Sequence, residues 1–127
     1  MDPTRAEFEI LQILWEDGPS VVRSVHERLQ ARREIGYTTA LKLLQNMHQK
    51  GFVERDESTR SHIYSPCLKR EEVQKNLVAD FVDRVFAGST NRLVVQAISG
   101  RGSTPKAKRE IRRLLAELEK EEDGRQG

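Results

Sequence analysis

At 127 residues, with 33% charged and 36% hydrophobic residues and a net charge of +2, the chain has room for one ordinary domain or two small ones around a modest core. Its single cysteine, Cys67, excludes an intrachain disulfide, and no Cys/His cluster has the spacing of a structural zinc site. No apolar run approaches the roughly 20 residues that span a bilayer, and the acidic start "MDPTRAEFE" has no signal-peptide core, so the expectation is a soluble cytoplasmic protein without membrane insertion.

The charges are unevenly spread. Residues 1–17 sum to −4 and residues 23–50 to +4. A basic segment of this kind is what a polyanion-facing surface needs, although a solvated face reads the same way.

In chain order, the first expected helix runs from about Thr4 to Glu16. Phe8, Leu11 and Trp15 form its apolar stripe with Ile10 and Leu14 beside them, and Thr4 with Glu7 has the spacing of a capping box. Asp17-Gly18-Pro19 stops it, and Ser20 is the expected N-cap of a second helix, about Val21 to Arg33, with Val22, Val25 and Leu29 inward. A third helix spans 38–50 and ends at Gly51, a natural left-handed position. Leu41, Leu44 and Met47 define its apolar face, and Thr38, Thr39, Lys42, Asn46 and Gln49 project to the other.

After Gly51 the period changes. Phe52-Val53, a polar turn over 56–59 and Ile63-Tyr64 before Pro66 read as a two-stranded hairpin. Beyond Pro66 the pattern is helical: about 69–87, 91–99 and from Pro105 onward. These helices carry apolar stripes with little to cover them, so association into a homodimer is expected through Leu77, Phe81, Val85, Leu93, Leu114, Leu115 and Leu118. The expected division is 1–66, 67–122 and a disordered tail over 123–127.

Three helices followed by a hairpin is the order of a winged helix-turn-helix. The fold class expected is therefore mainly α with a small β-hairpin wing, an N-terminal winged helix-turn-helix domain preceding a three-helix dimerisation domain. In such proteins the second helix of the motif lies in the major groove. Here that helix offers Thr38, Thr39, Lys42, Asn46 and Gln49, types that bond base edges or phosphates. Tyr37 at its start suits a phosphate, and Arg60 beside the hairpin tip suits the backbone or minor groove. The expected partner is double-stranded operator DNA. No catalytic, cofactor or metal site is expected, because His26, His48 and His62 lie in separate elements without a hydrolase or phosphate-loop motif.

"AEFEILQILWEDGP", "GYTTALKLLQNMHQKGFVER" and "STRSHIYSP" together resemble the penicillinase-repressor (BlaI/MecI) family of winged-helix transcriptional repressors. The elements that carry the resemblance are Trp15, Tyr37-Thr38-Thr39, Lys50-Gly51, Arg60 and Tyr64-Ser65-Pro66. The resemblance implies a dimeric repressor bound at TACA/TGTA-like inverted repeats. It also implies relief by a membrane metalloprotease sensor of β-lactams, with a cut between Asn and Phe in the fifth helix. The matching positions here are Gln96 and Ala97, so the Asn-Phe pair is absent. A copper-responsive branch uses a Cys-x-Cys cluster, which a lone Cys67 does not provide. The 45–46 pair, Gln-Asn, stands where many members have Asn-Arg.

Three other readings compete. A winged-helix regulator could answer a different signal, either redox chemistry at Cys67 or a small effector. The module could instead bind protein, in which case binding would be insensitive to salt.

Overall fold

The computed structural model describes residues 2–126, apart from the side chains of residues 118, 119 and 121–126, and the chain divides into two units, Met1–Val78 and Ala79–Gly127. The division falls later than the 66/67 boundary expected from the sequence. The start of the fourth helix belongs with the first unit because Val73 is buried there and Trp15 Nε1 donates to Leu68 O at 3.0 Å.

Helix α1 (Arg5–Asp17) begins with the expected capping box. Glu7 N donates to Thr4 Oγ1, and the Glu7 carboxylate accepts from Thr4 N at 2.9 Å. Its buried face is centred on Glu7, Ile10, Leu11 and Leu14, an i, i+3, i+4, i+7 set. Phe8 and Trp15, expected at the centre of the stripe, lie at its edge as a T-shaped pair with centroids 6.0 Å apart.

The second helix departs from expectation at both ends. Ser20 and Val21 form a short strand, β1, and α2 spans only Val22–Leu29, with no side-chain cap. The Ser20 hydroxyl donates to Gly18 O instead. The physical reason is long-range: β1 pairs antiparallel with the second wing strand, Ser20 opposite Tyr64 and Val21 opposite Ile63. Val22, Val25 and Leu29 are buried as expected.

Helix α3 (Tyr37–Gln49) ends in a Schellman motif. Phe52 N donates to Met47 O, Gly51 N donates to His48 O, and Gly51 has φ +81°. Phe52 and Met47, both buried, supply the hydrophobic contact that accompanies this motif.

The wing strands β2 (Val53–Asp56) and β3 (Ile63–Pro66) form the expected hairpin, but within a three-stranded sheet of order β1-β3-β2. Tyr64 on the central strand is 1% exposed and closes the core against α1–α3.

Helix α4 (Arg70–Val85) leads into the second unit, which holds α5 (Thr90–Ser99) and α6 (Pro105–Gln126). Ser89 caps α5 and the Thr104 hydroxyl caps α6, accepting from Ala107 N at 3.0 Å. Helix α6 is assigned as far as Gln126, through most of the span expected to be a tail. Its Glu- and Lys-rich sequence consists largely of strong helix formers. Within the second unit Val82 is the single buried hydrophobic side chain among the described residues.

Candidate nucleic-acid interface

The candidate surface expected from the sequence lies on α3. Ala40, Leu44 and Met47 are each 0% exposed and fix one face of the helix in the core. The face opposite is exposed throughout: Thr38, Lys42 and Gln49, with Thr39 and Asn46 beside them. Gln45 belongs to the same row. Thr38, Lys42, Gln45 and Gln49 follow the i, i+4, i+7, i+11 spacing of a single stripe. Gln45 is absent from the residues expected from the sequence, although its spacing from Thr38 places it on the stripe.

Tyr37, half exposed at 48%, stands at the first turn of α3. His26 holds this end of the helix from α2. Its Nε2 lies 2.8 Å from Ile35 O, which can only accept, so that nitrogen carries the proton. Its ring meets Tyr37 edge-on with centroids 5.8 Å apart. Tyr37 is thus positioned by a neighbouring element as well as by its own helix.

The charge asymmetry along the chain is largely spent inside the fold. Arg28 binds Glu16 at 2.6 Å and Asp17 at 2.8 Å, Arg33 binds Glu9 at 2.8 Å, and Lys50 binds Glu7 at 2.8 and 3.0 Å. Three of the six cations in residues 23–50 therefore neutralise α1 rather than facing outward. Lys42 keeps no ion pair among the described residues, and Arg23 faces Glu27 at 3.6 Å with both side chains well exposed. Arg32 bonds only the neutral Gln12, so the free positive charge is narrower than the sequence sum implied, and on the α3 stripe it is carried by Lys42.

Glu7 is 2% exposed. Burial pushes its carboxyl up, but hydrogen bonds from Lys50 and Thr4 and the Lys50 charge outweigh this and hold it below the usual carboxylate range. The same Lys50 ammonium sits 5.6 Å from the Phe52 ring centroid. One ion pair therefore ties the first turn of α1 to the end of α3.

Across a cleft from α3 stands the wing. Arg60 is exposed beside its tip, as expected, and has no ion pair among the described residues. An Asx turn, with Ser58 N donating to Asp56 Oδ1 at 2.9 Å, shapes the tip and holds the Asp56 carboxyl low through the Ser58 side-chain and backbone hydrogen bonds. Arg55 and His62, neither anticipated, face the same cleft. Arg55 reaches it because strand register sets it opposite Tyr64, information that is absent from the local sequence.

A sequence model of the family described as penicillinase repressor matches residues 3–117. The chain belongs to the penicillinase repressor family. It is 34% identical over 115 residues to the transcriptional regulator BlaI of Mycobacterium tuberculosis (strain CDC 1551 / Oshkosh), covering 89% of this chain and 82% of that protein. To the methicillin resistance regulatory protein MecI of Staphylococcus aureus (strain N315) it is 21% identical, covering 87% and 89% respectively. A solved MarR protein from Peptoclostridium difficile DA00132 superposes with a TM-score of 0.50 over 96% of this chain and 72% of that one, at 17% identity, a likeness of fold. This family member is therefore a winged-helix transcriptional repressor, and the family is not an enzymatic one. No helix among the described residues is long and apolar enough to cross a membrane.

The other residues singled out by the sequence lie in or near the helical half. Phe81, Val85, Leu114 and Leu115 are 42–58% exposed, Leu77 and Leu93 are half-buried, and the Leu118 side chain lies outside the described residues. Gln96 and Ala97 are exposed on α5, a helix with no buried residue. Cys67 is exposed, and partial burial of its thiol together with the Glu54 charge pushes its pKa up. A thiol shifted in that direction holds less reactive thiolate.

Proposed function

We propose that this repressor acts as a homodimer on an inverted-repeat operator of TACA/TGTA type. In each protomer α3 lies in the major groove, with Tyr37, Thr38, Thr39, Lys42, Gln45, Asn46 and Gln49 toward the DNA and Arg60 of the wing on the backbone or minor groove. The observation that carries this reading is the stripe on α3. Its polar side chains are exposed, and its one cation lacks an internal partner, while the opposite face is fully buried. Base-reading groups on a rigid helix are what direct readout needs.

The dimer reading is supported by the second unit. Phe81, Val85, Val95, Leu114 and Leu115 are all large, apolar and at least 42% exposed. A symmetric partner covers such surface and places two recognition helices about one helical turn, roughly 34 Å, apart or a multiple of it.

Relief of repression by proteolysis in the helical half is the accompanying proposal, with a membrane metalloprotease as the partner. Helix α5 around Gln96-Ala97 buries no residue. In a protomer released from the dimer, local unfolding into an extended, cleavable strand therefore costs little there.

The test is fluorescence anisotropy with a duplex carrying two TACA/TGTA half-sites beside a scrambled duplex, across a salt series. Tight binding to the first alone, with two protomers per duplex and a steep salt slope, is the expected result. Equal binding to both duplexes would remove the operator assignment. Absence of binding to either, even at low salt, would favour a protein-binding module.

A further inference from the structure

The cleft between α3 and the wing has a volume of about 500 Å³, within the range of small-molecule sites. Its composition is not that of a surface made only to meet DNA phosphates. The floor is apolar: Val22 and Tyr64 are buried core residues, and Val21 and Leu41 are half-buried beside them. The rim is cationic, with Arg55 and Arg60 on the wing and Arg23 on α2. Glu57 partly neutralises Arg55 and Glu27 faces Arg23, which leaves Arg60 as the rim charge without an acidic partner among the described residues. Gln45 from the recognition stripe and His62 from the wing add hydrogen-bonding groups.

A phosphodiester would satisfy the rim and leave the floor wet. A molecule with a carboxylate at one end and an apolar ring at the other satisfies both. Burying the ring removes apolar surface from water, while the carboxylate takes a forked hydrogen bond from a guanidinium.

We propose that this cleft binds a small organic anion with an apolar body, and that its occupancy and operator binding exclude one another. The exclusion rests on the DNA reading above, since Tyr37, Gln45 and Arg60 border the cleft and belong to the proposed DNA surface. Binding of the anion does not rest on it. The repressor would then carry a direct chemical input, independent of any cleavage in its helical half.

The test uses the full chain and three probes: 2-naphthoate, its neutral isostere 2-naphthamide, and inorganic phosphate. Backbone amide NMR shifts of the DNA-free protein are the first readout. Naphthoate should shift amides of residues 21–23, 41–45 and 60–64 together, and the amide isostere should bind at least tenfold more weakly. Arg60→Gln, an exposed change beside the wing tip, should weaken naphthoate severalfold with the rest of the spectrum unchanged. Equal shifts with naphthamide, or shifts by phosphate matching those by naphthoate, would overturn the proposal, as would shifts scattered over the surface. The second readout is operator binding. At ten times its dissociation constant naphthoate should raise the apparent Kd for operator DNA about elevenfold for each cleft that must be empty, and so roughly a hundredfold for the dimer on two half-sites, if the two compete. Naphthoate bound in the cleft with operator affinity unchanged would overturn the exclusion. Failure of the DNA reading itself shows separately, as absence of operator binding without any probe.

Discussion

Removing Lys50 tests how α3 is held. In Lys50→Met the aliphatic stem survives, but the Glu7 carboxylate, 2% exposed, loses both hydrogen bonds to the ammonium. Breaking a fully buried ion pair costs about 3–5 kcal/mol. The Lys50 side chain is 32% exposed, so water compensates in part, and a loss of about 2 kcal/mol at pH 7 follows. With a urea m-value of about 1.5 kcal/mol/M, the midpoint falls by about 1.3 M, read by Trp15 fluorescence at fixed protein concentration. The pH dependence is equally specific. Because the Glu7 pKa is lowered on folding, its contribution is full above the ordinary glutamate value of 4.5 and is lost as pH falls through the lowered value. In the variant the unpaired carboxyl takes up a proton more readily, so the gap between the two proteins narrows as pH falls below about 4.5. Glu7→Gln combined with Lys50→Met should recover more than half of the loss. A variant with an unchanged midpoint at pH 7, or a gap that does not narrow on acidification, would refute the reasoning.

Three further outcomes are expected. Asn46→Arg should tighten operator binding and steepen the logarithmic salt slope by about two units, since it adds one phosphate-reaching cation per protomer; an unchanged slope in the anisotropy titration would take Asn46 off the interface. Phe81→Ala or Leu115→Ala, at side chains 42% and 43% exposed in the single chain, should weaken association by about 2 kcal/mol or more, measured by sedimentation equilibrium, with the winged-helix unit still folded. Gly51→Ala places a side chain at φ +81°, where space is open but the backbone is strained, and should cost about 1 kcal/mol in thermal or urea unfolding.

Local signals were read well and long-range ones were not. The Thr4–Glu7 capping box and the Gly51 cap are written within a few residues, and both stand as expected. The boundaries of α2 were misread because Ser20 and Val21 are claimed by β3, whose sequence lies far along the chain. Read locally, Ser20 is a good cap; in the fold its backbone is already engaged in a strand. The charge sum misled in the same way. It counted Arg28, Arg33 and Lys50 as outward cations, and only tertiary structure sets them against the acids of α1. On the candidate interface the helical residues were legible from periodicity, with Gln45 the one omission. Arg55 and His62 were not legible, since strand register and wing orientation decide which way they face.

The pairing of β1 with β3 bears on how the protein emerges from the ribosome. Tyr64 is a core residue of the winged-helix unit, and the strand that carries it also closes the sheet on Ser20 and Val21. A nascent chain that has exposed only its first three helices lacks that side chain and the central strand, so its Leu11, Val25 and Leu44 face an incomplete core. Stable folding of the whole unit waits until Val73, buried in the same unit, has left the exit tunnel. A chain truncated within the wing therefore yields an incompletely folded product that quality-control proteases can clear.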